Sequence, residues 1–85
     1  MSIGTYDYAL QEICQRLDEA AAGLAGAQEA ATEQRGRLDA ITGSSARSEA
    51  DDAKAQILDA GTKLDEAVRS LQAAKTAIES YIQLF

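Results

Sequence analysis

Proline, histidine and tryptophan are absent from this chain of 85 residues, and cysteine occurs once. Each absence removes a class of structure or chemistry. Without proline every residue keeps its backbone donor, so no position forces a helix to stop. Without histidine the chain lacks the commonest general base and metal ligand. The lone cysteine, Cys14, excludes an intrachain disulfide framework. Beside Ile13 and four residues after Leu10, it is expected to pack as a small hydrophobe, with a disulfide to another chain as the sharper alternative. No apolar run reaches the roughly 20 residues of a membrane-spanning helix, and the first ten residues show neither a basic region nor an apolar core of a conventional signal peptide. Synthesis in the cytoplasm is therefore expected. Basic residues are scarce as well, 8 against 14 acidic ones for a formal net charge of −6. That balance argues against nucleic acid or an anionic membrane as partner, since both require a positive patch.

Catalytic chemistry has little to build on. Asp18-Glu19, Asp51-Asp52 and Asp65-Glu66 are paired carboxylates, but adjacent residues on a helix diverge by about 100° and do not converge on one substrate. No serine or cysteine has an activating base nearby in sequence, and the acidic residues lack the Gly-bearing spacing of a calcium loop. The expectation is a non-enzyme with no catalytic residues, no cofactor and no metal.

What the chain does have is alanine, at 18 positions, and a heptad pattern that favours long helices. Its one convincing break is Ile41-Thr42-Gly43-Ser44-Ser45-Ala46-Arg47-Ser48. Gly43 can end a helix by entering the left-handed conformation. Ser44, Ser45 and Ser48 can start one, Ser48 with Asp51 approximating a capping box, and Glu49, Asp51 and Asp52 place negative charge at the positive end of the following helix. The chain thus reads as one all-α domain over residues 1–85: helix 1 at about 5–41, a turn at about 42–47 and helix 2 at about 48–83, folded into an antiparallel, coiled-coil-like two-helix hairpin.

Before the turn, Leu10, Ile13, Leu17, Ala20, Leu24, Ala27, Ala31, Gln34, Leu38 and Ile41 recur at alternating spacings of three and four, with Tyr6 and Ile3 ahead of them. After it, the stripe runs through Ala50, Lys54, Ile57, Gly61, Leu64, Val68, Leu71, Lys75, Ile78, Ile82 and Phe85, and Ala53, Ala60, Ala67 and Ala74 form a parallel row ending at Tyr81. This is a coiled-coil period. Folding back at the turn is expected to pair stripe positions whose numbers sum to about 88: Leu10 with Ile78, Leu17 with Leu71, Leu24 with Leu64, Ala31 with Ile57. Gln34 then meets Lys54, and Lys75 falls opposite Ile13, a poor match. Large side chains gather at the end holding both termini. The middle, with Gly23, Gly26, Ala27 and Gly61, is thin, as a surface approached closely by another backbone would be. Glu12 with Arg16, Glu33 with Arg37, Asp59 with Lys63, Asp65 with Arg69 and Lys75 with Glu79 are helix-supporting charge pairs.

A two-helix hairpin cannot cover both sides of its own seam, and a domain this small usually needs a further staple. A dimer is therefore expected, with itself or with a similar hairpin, giving a four-helix bundle. With its hydrophobic-x-Gly turn at Ile41-Thr42-Gly43 and alanine-rich second arm, the chain resembles the WXG family of early-secreted-antigen-type helical hairpins, Ile41 standing at the Trp position. The resemblance implies association with type VII secretion, as substrate, partner or adaptor of a larger secreted toxin, and export by that non-classical route. In the export tag of that family an acidic residue follows a Tyr at four residues; here Phe85 follows Tyr81. The alternative is a cytosolic structural or regulatory coiled-coil adaptor.

Overall fold

The computed structural model describes residues 3–43 and 47–84, which form two helices and, among the described residues, no strand. Helix α1 runs Ile3–Thr42 and helix α2 runs Ser48–Gln83. They pack against each other as an antiparallel hairpin, a rod with extents of 67 × 14 × 13 Å. The long helices follow from the composition: nothing from Thr5 to Ile41 interrupts the backbone ladder, and alanine and leucine carry no penalty in it.

Gly43 ends α1. Its φ is +54°, and its N–H donates to the Asp39 carbonyl at 2.8 Å, closing the last turn in a left-handed cap. The Thr42 hydroxyl donates to the Leu38 carbonyl at 2.8 Å. The start of α2 differs from expectation. Arg47 is the N-cap, with extended φ and ψ of −75° and 126° and no side-chain cap hydrogen bond, so Ser48 is the first helical residue and not the cap. The Ser48–Asp51 capping box is therefore not formed, because its hydroxyl begins one residue too late. Glu49 and Asp51 do lie in the first turn, where the helix dipole favours them. Ser44 and Phe85 lie outside the described residues.

The seam between the helices is narrow. Cys14, at 7% exposure, is the single buried hydrophobic among the described residues. The rest of the seam is half-buried: Leu10, Leu17, Leu24, Ala31 and Leu38 on α1, and Ile57, Gly61, Leu64, Val68, Leu71, Ile78 and Ile82 on α2. The second column on α1 is displaced by one residue from the expected one. Cys14, Ala21, Gln28 and Thr42 turn inward, while Ile13, Ala20, Ala27, Gln34 and Ile41 are exposed.

Register differs as well. Two cross-helix ion pairs, Lys54 to Asp39 and Lys75 to Asp18, each close at 2.9 Å, and in both the residue numbers sum to 93. The helices are thus offset by about one turn from the expected sum of 88. Leu10 comes level with Ile82 instead of Ile78, Leu24 with Val68 instead of Leu64, and Ala31 with Gly61 instead of Ile57. A one-turn slide keeps heptad columns facing one another. At the expected register Lys75 would have met Ile13; at the observed one both seam lysines bring their ammonium groups to a carboxylate, which removes the cost of burying part of an unpaired charge.

Candidate functional site

Labelling the inward α1 columns a (Cys14, Ala21, Gln28) and d (Leu10, Leu17, Leu24) places the remaining residues of the hairpin on two distinct sides. One side carries the e columns of both helices. Two open depressions lie along it, the first lined by Gln28, Ala31, Thr32, Arg35, Ile57, Leu58, Gly61, Thr62 and Asp65. The second is lined by Gln11, Cys14, Gln15, Asp18, Lys75, Glu79, Ile82 and Gln83. Both cross-helix ion pairs draw their carboxylates from this side. The Lys54 ammonium, hydrogen-bonded to Asp39, holds that carboxyl below the ordinary carboxylate value. The hydrogen bond from Lys75 to Asp18 raises the lysine above its ordinary value. Each pair has one well-exposed carboxylate, so these contacts orient the helices more than they stabilise them.

With the e columns together on one side, the g columns share the other. On α1 they are Tyr6, Ile13, Ala20, Ala27, Gln34 and Ile41; on α2 they are Ala53, Ala60, Ala67, Ala74 and Tyr81. Gln34 is the one residue among them with a polar amide or charge. Tyr6 is 67% exposed, Ile13 46%, Ile41 79% and Tyr81 51%, and between them runs a floor of alanines. Apolar strips on small proteins are common sites of contact with other molecules. This flank is the candidate functional site.

The residues singled out from the sequence divide accordingly. The structure brings Leu10, Leu17, Leu24, Leu38, Ile57, Leu64, Val68, Leu71, Ile78 and Ile82 together in the seam, and places Tyr6, Ile13, Ala27 and Ile41 on the flank. The three mid-helix glycines singled out from the sequence do not meet a backbone within the hairpin. A Cβ at Gly23, Gly26 or Gly61 would find nothing within 4 Å. Gly61 lies in the seam with room to spare, Gly23 at the outer rim of the flank and Gly26 on the far surface of α1, so the thin middle is not a close contact between α1 and α2.

Sequence reasoning did not find Asp18 and Asp39 as cross-helix partners. A signal for them exists: Asp18 and Asp39 are three heptads apart, as are Lys54 and Lys75 in the second stripe, and only one register satisfies both. Among the described residues, no three His, Cys, Asp or Glu side chains gather where they could hold a metal ion, and no helix is long and apolar enough to cross a membrane. Comparison with protein-family models, with curated proteins and with solved structures gives no match.

Proposed function

We propose that the chain is a non-enzymatic protein–protein interaction module, one half of a helical bundle that offers its apolar flank to another helical hairpin. The observation that carries this reading is how little the hairpin buries by itself. The chain exposes 6292 Å², whereas a compact chain of 9.0 kDa exposes about 4,900 Å². The excess, roughly 1,400 Å², is more than the about 800 Å² that one partner buries in a standard protein–protein interface.

The test is affinity capture from the native host with wild-type chain and with Ala27→Arg, which plants a charge in the middle of the flank without touching the seam. A helical protein recovered with wild type and lost with the variant is the expected result. Equal capture by both refutes the flank as the site. The Ile41-Thr42-Gly43 turn extends the proposal to type VII secretion, with the hairpin as substrate, partner or toxin adaptor. Appearance in culture supernatant only while the secretion ATPase is intact is the corresponding expectation. Retention in the cytosol with a non-secreted partner would instead make the chain a structural or regulatory adaptor of a larger complex.

A further inference from the structure

We propose that the occupant of the apolar flank is a second copy of this chain, laid antiparallel so that α1 lies on α1 of the second copy with the two-fold axis near Leu24. This rests on the flank being an interaction surface, and it names the partner. Size permits it. The face is about 67 by 14 Å between Cα atoms, roughly 900 Å², against about 800 Å² per partner in a standard interface.

Charge identifies the occupant. Just outside the flank, α1 carries two arginines, Arg16 and Arg37, in the column next to the apolar one, and two glutamates, Glu12 and Glu33, in the column beyond. All four are exposed. Their spacing is self-complementary under reversal: 12 and 37 share the midpoint of 16 and 33, between Leu24 and Ala25. Turning α1 end for end about that point lays Arg16 beside Glu33 of the second copy and Arg37 beside its Glu12, and two-fold symmetry repeats both pairs. A copy turned about the long axis of the rod instead lays α1 on α2 of the second copy, where Arg16 comes level with Ala77 and forgoes the pairing with Glu33. At present Arg16 reaches Glu12 of its own helix only at 3.7 Å, and Arg37 donates to Gln34 at 3.2 Å. Exposed partners of this kind are exchanged at little cost.

The apolar columns of α1 reverse about a point one residue away, between Gly23 and Leu24. On α1 the reversal brings Ala20 onto Ala27 of the second copy and Tyr6 near Ile41. The seam register puts Leu24 level with Val68, so the axis crosses α2 beside Ala67. There the reversal matches Ala60 with Ala74 and sets Tyr81 over Ala53. Small residues meet small ones at the centre, and each tyrosine meets an aliphatic side chain at an end. That pattern lets the helices approach closely in the middle without a clash at the ends.

The experiment is light scattering and sedimentation on the full chain from about 1 to 100 μM. The expected result is a mass of twice the 9.0 kDa chain, with Ala27→Arg monomeric and Ala22→Arg, on a face away from the flank, still dimeric. The register is tested by charge exchange. Arg16→Glu sets a carboxylate against Glu33 of the second copy and is expected to weaken association about tenfold at low salt. Arg16→Glu combined with Glu33→Arg restores the opposite signs and is expected to recover wild-type affinity. Circular dichroism shows that each variant remains helical. A chain that stays monomeric at 100 μM, or a dimer that Ala27→Arg leaves intact, overturns the proposal. A double variant no tighter than Arg16→Glu overturns the antiparallel alignment. A monomeric chain whose flank nevertheless captures another protein, and loses it with Ala27→Arg, overturns the second-copy proposal while leaving the interaction-module reading in place.

Discussion

Replacing glycine by alanine at Gly43 and at Gly26 adds the same methyl group to the chain and is expected to move stability in opposite directions. Gly43 has φ of +54°, a conformation in which an L-residue costs about 1–2 kcal/mol. A Cβ there meets nothing within 4 Å, so the penalty is entirely in the backbone. Alanine also restricts the unfolded chain, which offsets part of the cost, and the net loss is about 1 kcal/mol. Gly26 is exposed within α1, again with nothing within 4 Å of a Cβ. Alanine in a helix interior is better than glycine by about 0.8–1.0 kcal/mol, so this variant gains what the other loses. The gap of about 2 kcal/mol corresponds to roughly 8–16 °C in Tm for a domain of this size. Urea and thermal unfolding followed by far-UV circular dichroism, at one fixed protein concentration because association shifts apparent stability, measure it directly. If Gly43→Ala is as stable as wild type, α1 does not end in a left-handed turn. If Gly26→Ala is less stable, something packs against the outer surface of α1.

Leu38→Ala and Ile41→Ala test which column faces α2. Leu38 is half-buried in the seam, so its truncation is expected to cost about 1–2 kcal/mol, below the 2–5 kcal/mol of a fully buried leucine. Ile41, 79% exposed, should change hairpin stability by less than about 0.5 kcal/mol; equal losses in urea unfolding would contradict the observed column. The ion pairs set the pH response. Asp39 has its carboxyl lowered from 3.8 by the hydrogen bond and charge of Lys54. Its contribution is therefore complete above that value and is lost as pH falls through the lower folded-state value. Asp39→Asn is expected to flatten part of the acid limb of a Tm-against-pH curve, and an unchanged limb would show that the pair does not form. Lys75 is raised above 10.5 by its hydrogen bond to Asp18, so its contribution holds below that value and disappears as pH rises through the folded-state value. Lys75→Gln should remove the corresponding part of the alkaline limb.

The two helices, the turn at Gly43 and the whole α2 stripe were legible in the sequence because each rests on a local cause. A residue without Cβ permits positive φ, and in α2 Ile57, Leu64, Leu71 and Ile78 outweigh in bulk the parallel row of alanines that is the only competitor. Helix α1 does offer a choice. Leu10, Leu17, Leu24, Ala31 and Leu38 define one seam column beyond dispute, but the other can be taken from Ile13, Ala20, Ala27, Gln34 and Ile41 or from Cys14, Ala21, Gln28, Arg35 and Thr42. Hydrophobicity favours the first set, which carries two isoleucines, and that preference assumes that the most apolar column faces α2.

The structure turns the less apolar column inward, and the reason lies across the seam. Helix α2 presents Lys54 and Lys75 at its centre line, and a seam built around Ile13, Gln34 and Ile41 would leave the Lys75 ammonium against Ile13 and offer Lys54 only the Gln34 amide. Rotating α1 by one column and sliding it about one turn exchanges that arrangement for Asp39 and Asp18, each at 2.9 Å. The rotation has a second consequence, because Ile13, Ile41 and the alanines between them are moved onto the same side of the hairpin as Ala53, Ala60, Ala67, Ala74 and Tyr81. An apolar strip that would otherwise lie in the seam joins the α2 strip to form one continuous face. The ion pairs on one side of the seam and the apolar flank on the other are thus outcomes of a single choice of register. Lys54→Leu with Lys75→Leu removes the reason for that choice, and it is expected to let α1 rotate back, bury Ile13 and abolish flank-dependent binding. Iodoacetamide reactivity of the Cys14 thiol reads the rotation, rising if the column turns outward. An unchanged reactivity in the double variant would show that packing alone, and not the paired charges, holds α1 in place.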